Sequence, residues 1–319
     1  MVYDLEFEKP LAELEKRIAS LQRKGERLRP EEHAQLQEYE RELRRRTEEI
    51  YRSLTAWQTV QVARHKDRPY TADFIHLMCE EFFELHGDRR VGDDHAIIGG
   101  PALFNGETVM IIGHEKGRGM REKIYRNNGM PHPEGYHKAI RLMEQAEKFG
   151  YPVICLVDTQ GAFLGLEDEE RGQGSAIAAS LYAMARLRVP IIAAVIGEGG
   201  SGGALAISVA DRLLMLEYSI YTVAAPEAAA SIIWRDKVYA PQAAEAMRIS
   251  ARELYALGLI DELVPEPLGG AHHNHRLAAE NLKAALIRHL QELKQIPVDR
   301  LVQMRYEKYR AVGPFGFAA

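Results

Sequence analysis

Apolar residues recur at helical spacing over the first 55 positions. Leu11, Leu14, Ile18 and Leu21 follow 3-4-3 intervals, and Leu28 comes one heptad after Leu21. After Arg29-Pro30 a similar spacing resumes with Leu36, Tyr39, Leu43, Ile50 and Leu54, and Glu, Arg and Lys fill the positions between. This pattern predicts two amphipathic helices with coiled-coil-like seams, folded as a hairpin near Gly25 to Pro30. Such an arm buries little by itself, so it is expected to pack on the body or on a partner. The run Arg41 to Arg46 is interleaved with glutamate and reads as a solvated helix face.

From residue 56 to about 265 short strands and helices alternate. Ala102-Leu-Phe104 and Glu107-Thr-Val-Met-Ile-Ile112 flank Asn105-Gly106, a hairpin signal because both turn positions need positive φ. A helix over 134–149 carries Ile140, Met143 and Ala146 on one face and stops at Gly150. The strand Tyr151 to Val157 follows and ends in Asp158-Thr159-Gln160-Gly161-Ala162. Ala176 to Arg186 is apolar nearly all round, which predicts a buried helix, with Glu169-Glu170-Arg171 at its start, where acids favour the dipole. The strand Pro190 to Ile196 leads into Gly197-Glu198-Gly199-Gly200-Ser201-Gly202-Gly203, and a helix is expected over 204–210.

The unit of helix, X-Pro strand, glycine loop and helix thus occurs twice. It places the loops at 158–166 and 197–203 on the carboxyl end of a parallel sheet, where ligands bind. Further on, Pro226-Glu227 starts a helix, Ser250-x-x-Glu253 is a capping box, and Gly258 precedes the strand at 259–264. The final segment, 266–319, opens with a Pro/Gly loop and continues with helix Leu277 to Lys294 and a basic-aromatic tail. Three segments result: an arm over 1–55, an α/β body over 56–265, and a C-terminal loop and helical segment over 266–319.

Composition narrows the class. Hydrophobic residues at 46% suffice for a packed core, and 27% charged residues suit a soluble chain. No run approaches the roughly 18 apolar residues of a membrane span, and the first residues lack the features of a signal peptide. Cys79 and Cys155 are isolated in apolar surroundings, which suggests buried thiols in a reducing compartment. Net charge −5 gives no general attraction to nucleic acid. A cytoplasmic setting is expected.

The glycine run carries the chemistry. Five glycines in seven residues cost more chain entropy than a connection requires, and they expose N–H groups at a helix start. Gly197-x-Gly199-x-x-Gly202 fits a dinucleotide fingerprint, with Glu217 as the ribose acid. Gly199-x-Ser201-x-Gly203 fits a nucleophile elbow, with Asp236 or Asp261 and then His272 or His275 in order. Adjacent N–H groups at Gly202 and Gly203 would instead make an oxyanion hole. Context weighs against the first two without removing them. Ser201 stands five residues beyond the expected strand end, and a dinucleotide unit belongs before the parallel strands rather than after them. Lys116 and Arg118 are possible anion contacts or part of a solvated loop. Asp158 is a turn residue or a site carboxylate. His272, His273 and His275 lie beside Gly269-Gly270 without helical spacing or a nearby cysteine, so no metal is expected there.

Taken together the loops resemble a known family. Ala63-Arg-His-x-x-Arg-Pro-Tyr70, Ile111-Ile-Gly-His-Glu-Lys-Gly-Arg118, Gly129-Met-Pro-x-Pro-Glu-Gly-Tyr136, Asp158-Thr-x-Gly-Ala162, Glu169-Glu-Arg-Gly-Gln173, the glycine run through Ala206 and Glu266-Pro-Leu-Gly-Gly-Ala-His272 are similar to the carboxyltransferase alpha subunit of bacterial multi-subunit acetyl-CoA carboxylase. The resemblance spans nearly the whole chain. The family often has proline where this chain has Gln160 and Leu164, and it often reads Ser-Pro-Glu-Gly where this chain has Ala225-Pro-Glu-Ala228. These departures bear on loop shape and remove no evident reacting group.

The resemblance implies a crotonase-like (ClpP/crotonase) core of repeated ββα units, with the helical arm and C-terminal helices added. It implies transfer of a carboxyl group from carboxybiotin on a biotin carboxyl carrier protein to acetyl-CoA, giving malonyl-CoA for fatty-acid synthesis. By the same resemblance, Gly202 and Gly203 N–H groups stabilise the biotin enolate, and Gly199, Gly200, Ser201, Gly161 and Ala162 line the substrate loops. A beta subunit supplies the CoA side and a zinc ribbon, in an α2β2 unit of a heterohexameric assembly that also includes biotin carboxylase. The competing readings are a serine hydrolase using Ser201 and a non-catalytic scaffold.

Overall fold

The computed structural model describes residues 3–313. The hairpin forms where Asn105-Gly106 predicts it: φ is 51° at Asn105 and 77° at Gly106. It joins β2 (Ile97–Phe104) to β3 (Glu107–His114), with Phe104 opposite Glu107. The two-residue β1 (Glu81–Phe82) adds an antiparallel edge to β2. From β3 onward the sheet is parallel, through β4 (Val153–Thr159), β5 (Ile191–Gly200), β6 (Arg212–Leu216) and β8 (Glu262–Val264). β7 (Ile220–Thr222) pairs only with the last residues of β5, from Glu198 opposite Ile220 to Gly200 opposite Thr222.

Both sheet faces are covered, which explains why the strands are continuous apolar runs. Odd positions such as Cys155, Val157, Ala193 and Val195 pack under helices Pro133–Phe149 and Gln173–Arg186. Even positions such as Ile154, Leu156, Ala194 and Ile196 pack under helices Thr71–Met78 and His275–Lys294. Burial pushes the Cys155 thiol up to about 12, so it behaves as a small apolar group. The C-terminal helices belong to this core, because Leu282, Leu286, Leu290 and Leu301 share the second cluster. Arg305, on helix Val298–Arg310, is 1% exposed and forks onto Asp211 at 2.8 Å through both Nε and Nη2.

The arm is the expected hairpin, with helices Lys9–Gln22 and Pro30–Arg52 joined by a turn at Gly25–Arg27. Leu11, Leu14, Ile18 and Leu21 are its buried stripe. It docks on the body through Leu11 and Tyr51, which cluster with Val62 and Tyr218; the Tyr51 and Tyr218 rings meet edge-on at 5.2 Å. Among the described residues no helix is long and apolar enough to cross a membrane.

Three local expectations are corrected. Helix Gln173–Arg186 is not buried all round: Gln173, Ala176, Ser180 and Met184 form one buried stripe, and Tyr182 is 63% exposed. Its alanine-rich composition conceals that sidedness. Glu169 and Glu170 do not start it; they end a separate short helix, Leu166–Glu170. The helix expected over 204–210 is instead Ser201–Leu205.

Candidate active site at the ends of β4 and β5

Strand β5 does not stop at Ile196 but continues through Gly200, so most of the glycine run is strand rather than loop. The extension is held on both sides: β7 pairs with 198–200, and Thr159 pairs with Gly199 beyond an irregularity at Asp158. Ser201 therefore follows the strand immediately and adopts φ 55°, a left-handed conformation that costs a non-glycine residue energy. This removes the spacing argument against a nucleophile elbow, because the local turn is tight.

The glycines are required by close approach. A Cβ at Gly200 would lie 2.1 Å from the Gln160 carbonyl oxygen, and one at Gly203 would lie 2.4 Å from the Gly161 carbonyl carbon and 2.5 Å from Ala162 N. The ends of β4 and β5 thus touch backbone to backbone, bringing Gly161 and Ala162 against Gly203. At Gly202 a Cβ would meet only the Ile177 side chain, at 3.4 Å. No side chain caps helix Ser201–Leu205. The N–H groups of its first turn have no intrahelical acceptors.

Beneath this turn lies a layer of buried charge. Asp158 accepts from Glu198 N at 2.9 Å and from Lys116 Nζ at 2.6 Å. Burial would lower the Lys116 ammonium, but the Asp158 and Glu198 carboxylates outweigh it and hold the group above the ordinary lysine value. His114, at the end of β3, faces Asp158 N with Nδ1 at 3.4 Å, and burial pushes its ring down to about 3. It is a neutral support at physiological pH. Glu198 receives Arg64 through Nε at 2.9 Å and Nη2 at 2.6 Å, and Arg64 also reaches Glu227 at 2.5 Å. Arg68 donates to the Ile196 carbonyl at 2.7 Å and pairs through both terminal nitrogens with Glu266. Each carboxylate of this layer has a cation, as burial demands.

Arg64, Arg68, Glu198 and Glu266 were not identified by sequence spacing. Their signal was present: a glutamate inside a buried strand must find a partner. The partners lie far away in sequence, which no local pattern encodes. Of the two cations proposed as anion contacts, Lys116 is held by Asp158. Arg118 reaches Asp73 at 2.5 Å and stacks 4.6 Å above the Tyr70 ring.

The side chains that a hydrolase or nucleotide site would require are held in other contacts. Asp236 caps Val238 N at 2.9 Å, and Asp261 holds Leu213 N at 2.6 Å. His275 bonds to the Asp67 carbonyl at 2.7 Å, and His272 stacks on His65 at 3.9 Å. Glu217 pairs with Arg252 at 2.6 Å. Ser201 thus has an elbow's backbone without an elbow's triad. Of the positions departing from the family pattern, Gln160 is exposed, Leu164 is 86% exposed, and Ala225 is the N-cap of helix Pro226–Trp234, which includes Ala228.

Comparison with known proteins bears on the family and the fold. The model of the family described as acetyl co-enzyme A carboxylase carboxyltransferase-like matches residues 4–313. The acetyl-coenzyme A carboxylase carboxyl transferase subunit alpha of Geobacter metallireducens is 54% identical over 98% of this chain and 98% of that protein. The protein of the same name from Methylococcus capsulatus is 53% identical over 98% of this chain and 97% of that one. A Pseudomonas malonate decarboxylase hetero-tetramer in complex with coenzyme A contains a chain with TM-score 0.58 at 20% identity, covering 73% of this chain and 90% of that one. Transcarboxylase 12S aligns with TM-score 0.54 at 20% identity, covering 68% of this chain and 42% of that one. The solved structures share the crotonase-like fold. The family match and the sequence identity over nearly the whole length place this chain in the acetyl co-enzyme A carboxylase carboxyltransferase-like family.

Proposed function

We propose that this chain is the alpha subunit of the carboxyltransferase of acetyl-CoA carboxylase. With a beta subunit it moves the carboxyl group of carboxybiotin, borne on a biotin carboxyl carrier protein, to acetyl-CoA, giving malonyl-CoA. The observation that carries the reading is the uncapped first turn at Gly202 and Gly203, set where the β4 and β5 ends meet. Biotin, when bound, supplies the carboxyl group and a ureido oxygen on which negative charge develops. The residues present fit it: two N–H groups with no Cβ of their own are able to donate to that oxygen. One such donor is worth roughly 2.7–4 kcal/mol of transition-state stabilisation in other enzymes.

Gly200 lets the strand lie against the Gln160 backbone, Gly199 leaves room for the Tyr221 ring, and Gly161 and Ala162 form the facing wall. Ser201 sets the turn. Asp158, Lys116 and His114 fix the layer below and exchange no proton with substrate. On this reading residues 56–265 hold the chemistry, 1–55 serve as the arm, and 266–319 brace the body.

The beta subunit covers the CoA side, carries the zinc ribbon and joins in an α2β2 unit served by biotin carboxylase, in the cytoplasm. Leu164, Leu166 and Val223, at 86%, 78% and 81% exposure, favour a partner. They follow the ends of β4 and β7, the edge that bears the site. The tight turn at Ser201 is the sole feature the hydrolase reading has among the described residues, and it lacks a triad. The purified chain is expected to form no malonyl-CoA from acetyl-CoA and carboxylated carrier protein until the beta subunit is added. Full turnover by the chain alone would refute the partnership.

A further inference from the structure

The fold brings to His272 and His273 a third group that sequence spacing cannot reveal. Glu8, at the start of the arm, is fully buried, and one ligand atom from each of Glu8, His272 and His273 lies within 4.8 Å of the others. His272 is 7% exposed, yet neither ring nitrogen has a hydrogen-bond partner, and His273 Nε2 is likewise buried and unpartnered. Leaving such atoms unsatisfied costs about 1–3 kcal/mol each, so the cluster is built for something that accepts their lone pairs.

The carboxylate is oriented for the same purpose. Glu8 Oε2 accepts from Leu5 N at 3.0 Å and Oε1 from the Tyr51 hydroxyl. Neither donor carries charge, so the acid has no cation in hydrogen-bonding contact through these two bonds. Nearby His65 is committed elsewhere, its Nε2 to Asp4 at 2.7 Å and its Nδ1 to Asp67 N at 3.2 Å.

We propose that Glu8, His272 and His273 form a zinc site that fastens the N-terminal arm to the body. Two imidazoles and a carboxylate suit zinc, with a water in the fourth position. Tyr51 and the Leu5 N–H are the outer partners that fix the carboxylate. Tetrahedral ligands at about 2.0–2.2 Å from zinc sit about 3.3 Å apart, so small side-chain rotations close the cluster around the ion. The tie is also connected to the active site. Ala271 N, beside the two histidines, donates to Glu266 at 2.6 Å, and Glu266 holds Arg68 beneath β5.

The test uses the full chain, stripped with a chelator, incubated with zinc sulfate, desalted and analysed for metal. About one zinc per chain is expected, with loss of bound metal in Glu8→Gln and in His273→Ala. Tyr51→Phe should weaken binding roughly 10–100-fold. Cobalt(II) added to the stripped wild-type chain should give visible bands of tetrahedral intensity, a readout independent of whether any variant folds. His273 is only half buried, so its truncation leaves the core intact should Glu8→Gln unfold. Absence of stoichiometric metal, its retention in His273→Ala, or a weak octahedral cobalt spectrum overturns the proposal and leaves a water-filled polar cluster.

Discussion

Gly203→Val in the reconstituted alpha–beta pair is expected to lower kcat for malonyl-CoA formation by at least about 10²–10³, the effect of losing one oxyanion donor. Even the first carbon of the new side chain would lie 2.4 Å from the Gly161 carbonyl carbon and 2.5 Å from Ala162 N. Both neighbours are backbone, so the β4 and β5 ends must separate and the N–H groups move out of line. Overpacking of this kind costs typically about 1–3 kcal/mol, which a folded chain survives with a lower Tm. Gly202→Ala is the control, because its Cβ meets only the flexible Ile177 side chain, at 3.4 Å. It should keep its Tm. Undiminished turnover by Gly203→Val would show that the two strand ends need not touch.

Arg68→Met is expected to destabilise the chain by about 3–5 kcal/mol, the usual cost of stranding one half of a buried pair. Arg68 is 1% exposed and the Glu266 side chain 0%, so the remaining carboxylate has no route to water. Its surviving donors, Tyr218 N at 2.9 Å and Ala271 N at 2.6 Å, carry no charge, and the Ile196 carbonyl loses its partner as well. Adding Glu266→Gln should recover part of the loss, since it removes the charge and keeps an acceptor. Urea unfolding followed by circular dichroism would measure both. A single variant as stable as the parent would mean that Arg68 does not hold the base of β5.

Much of the frame was legible because its signals are local. Asn105-Gly106 needs only its own two φ angles to turn, Gly150 caps its helix at φ 72°, and the leucine spacing of the arm is visible within two turns. The glycine run misled for a physical reason. Its residues favour no strand by themselves, and they extend β5 only because β7 and Thr159 supply hydrogen bonds from outside the segment. The alanine-rich face of helix Gln173–Arg186 hid its sidedness, since alanine is compatible with either environment. Arg64, Arg68 and Glu8 find their partners across the whole chain, and only the folded body shows them.

The chemistry of the site turns on whether backbone or side chain acts at position 201. Ser201 has the backbone of an elbow at φ 55°, while Asp236, Asp261 and His275 are hydrogen-bonded elsewhere and His272 is stacked on His65. The steady-state kcat of the alpha–beta pair bearing Ser201→Ala, with carboxylated carrier protein and acetyl-CoA, separates the two most directly. Retention of most of the parent activity is the result predicted for amide donors at Gly202 and Gly203. A loss on the order of a hundredfold, the scale of a removed oxyanion donor, would contradict the account and give the hydroxyl a part in the reaction.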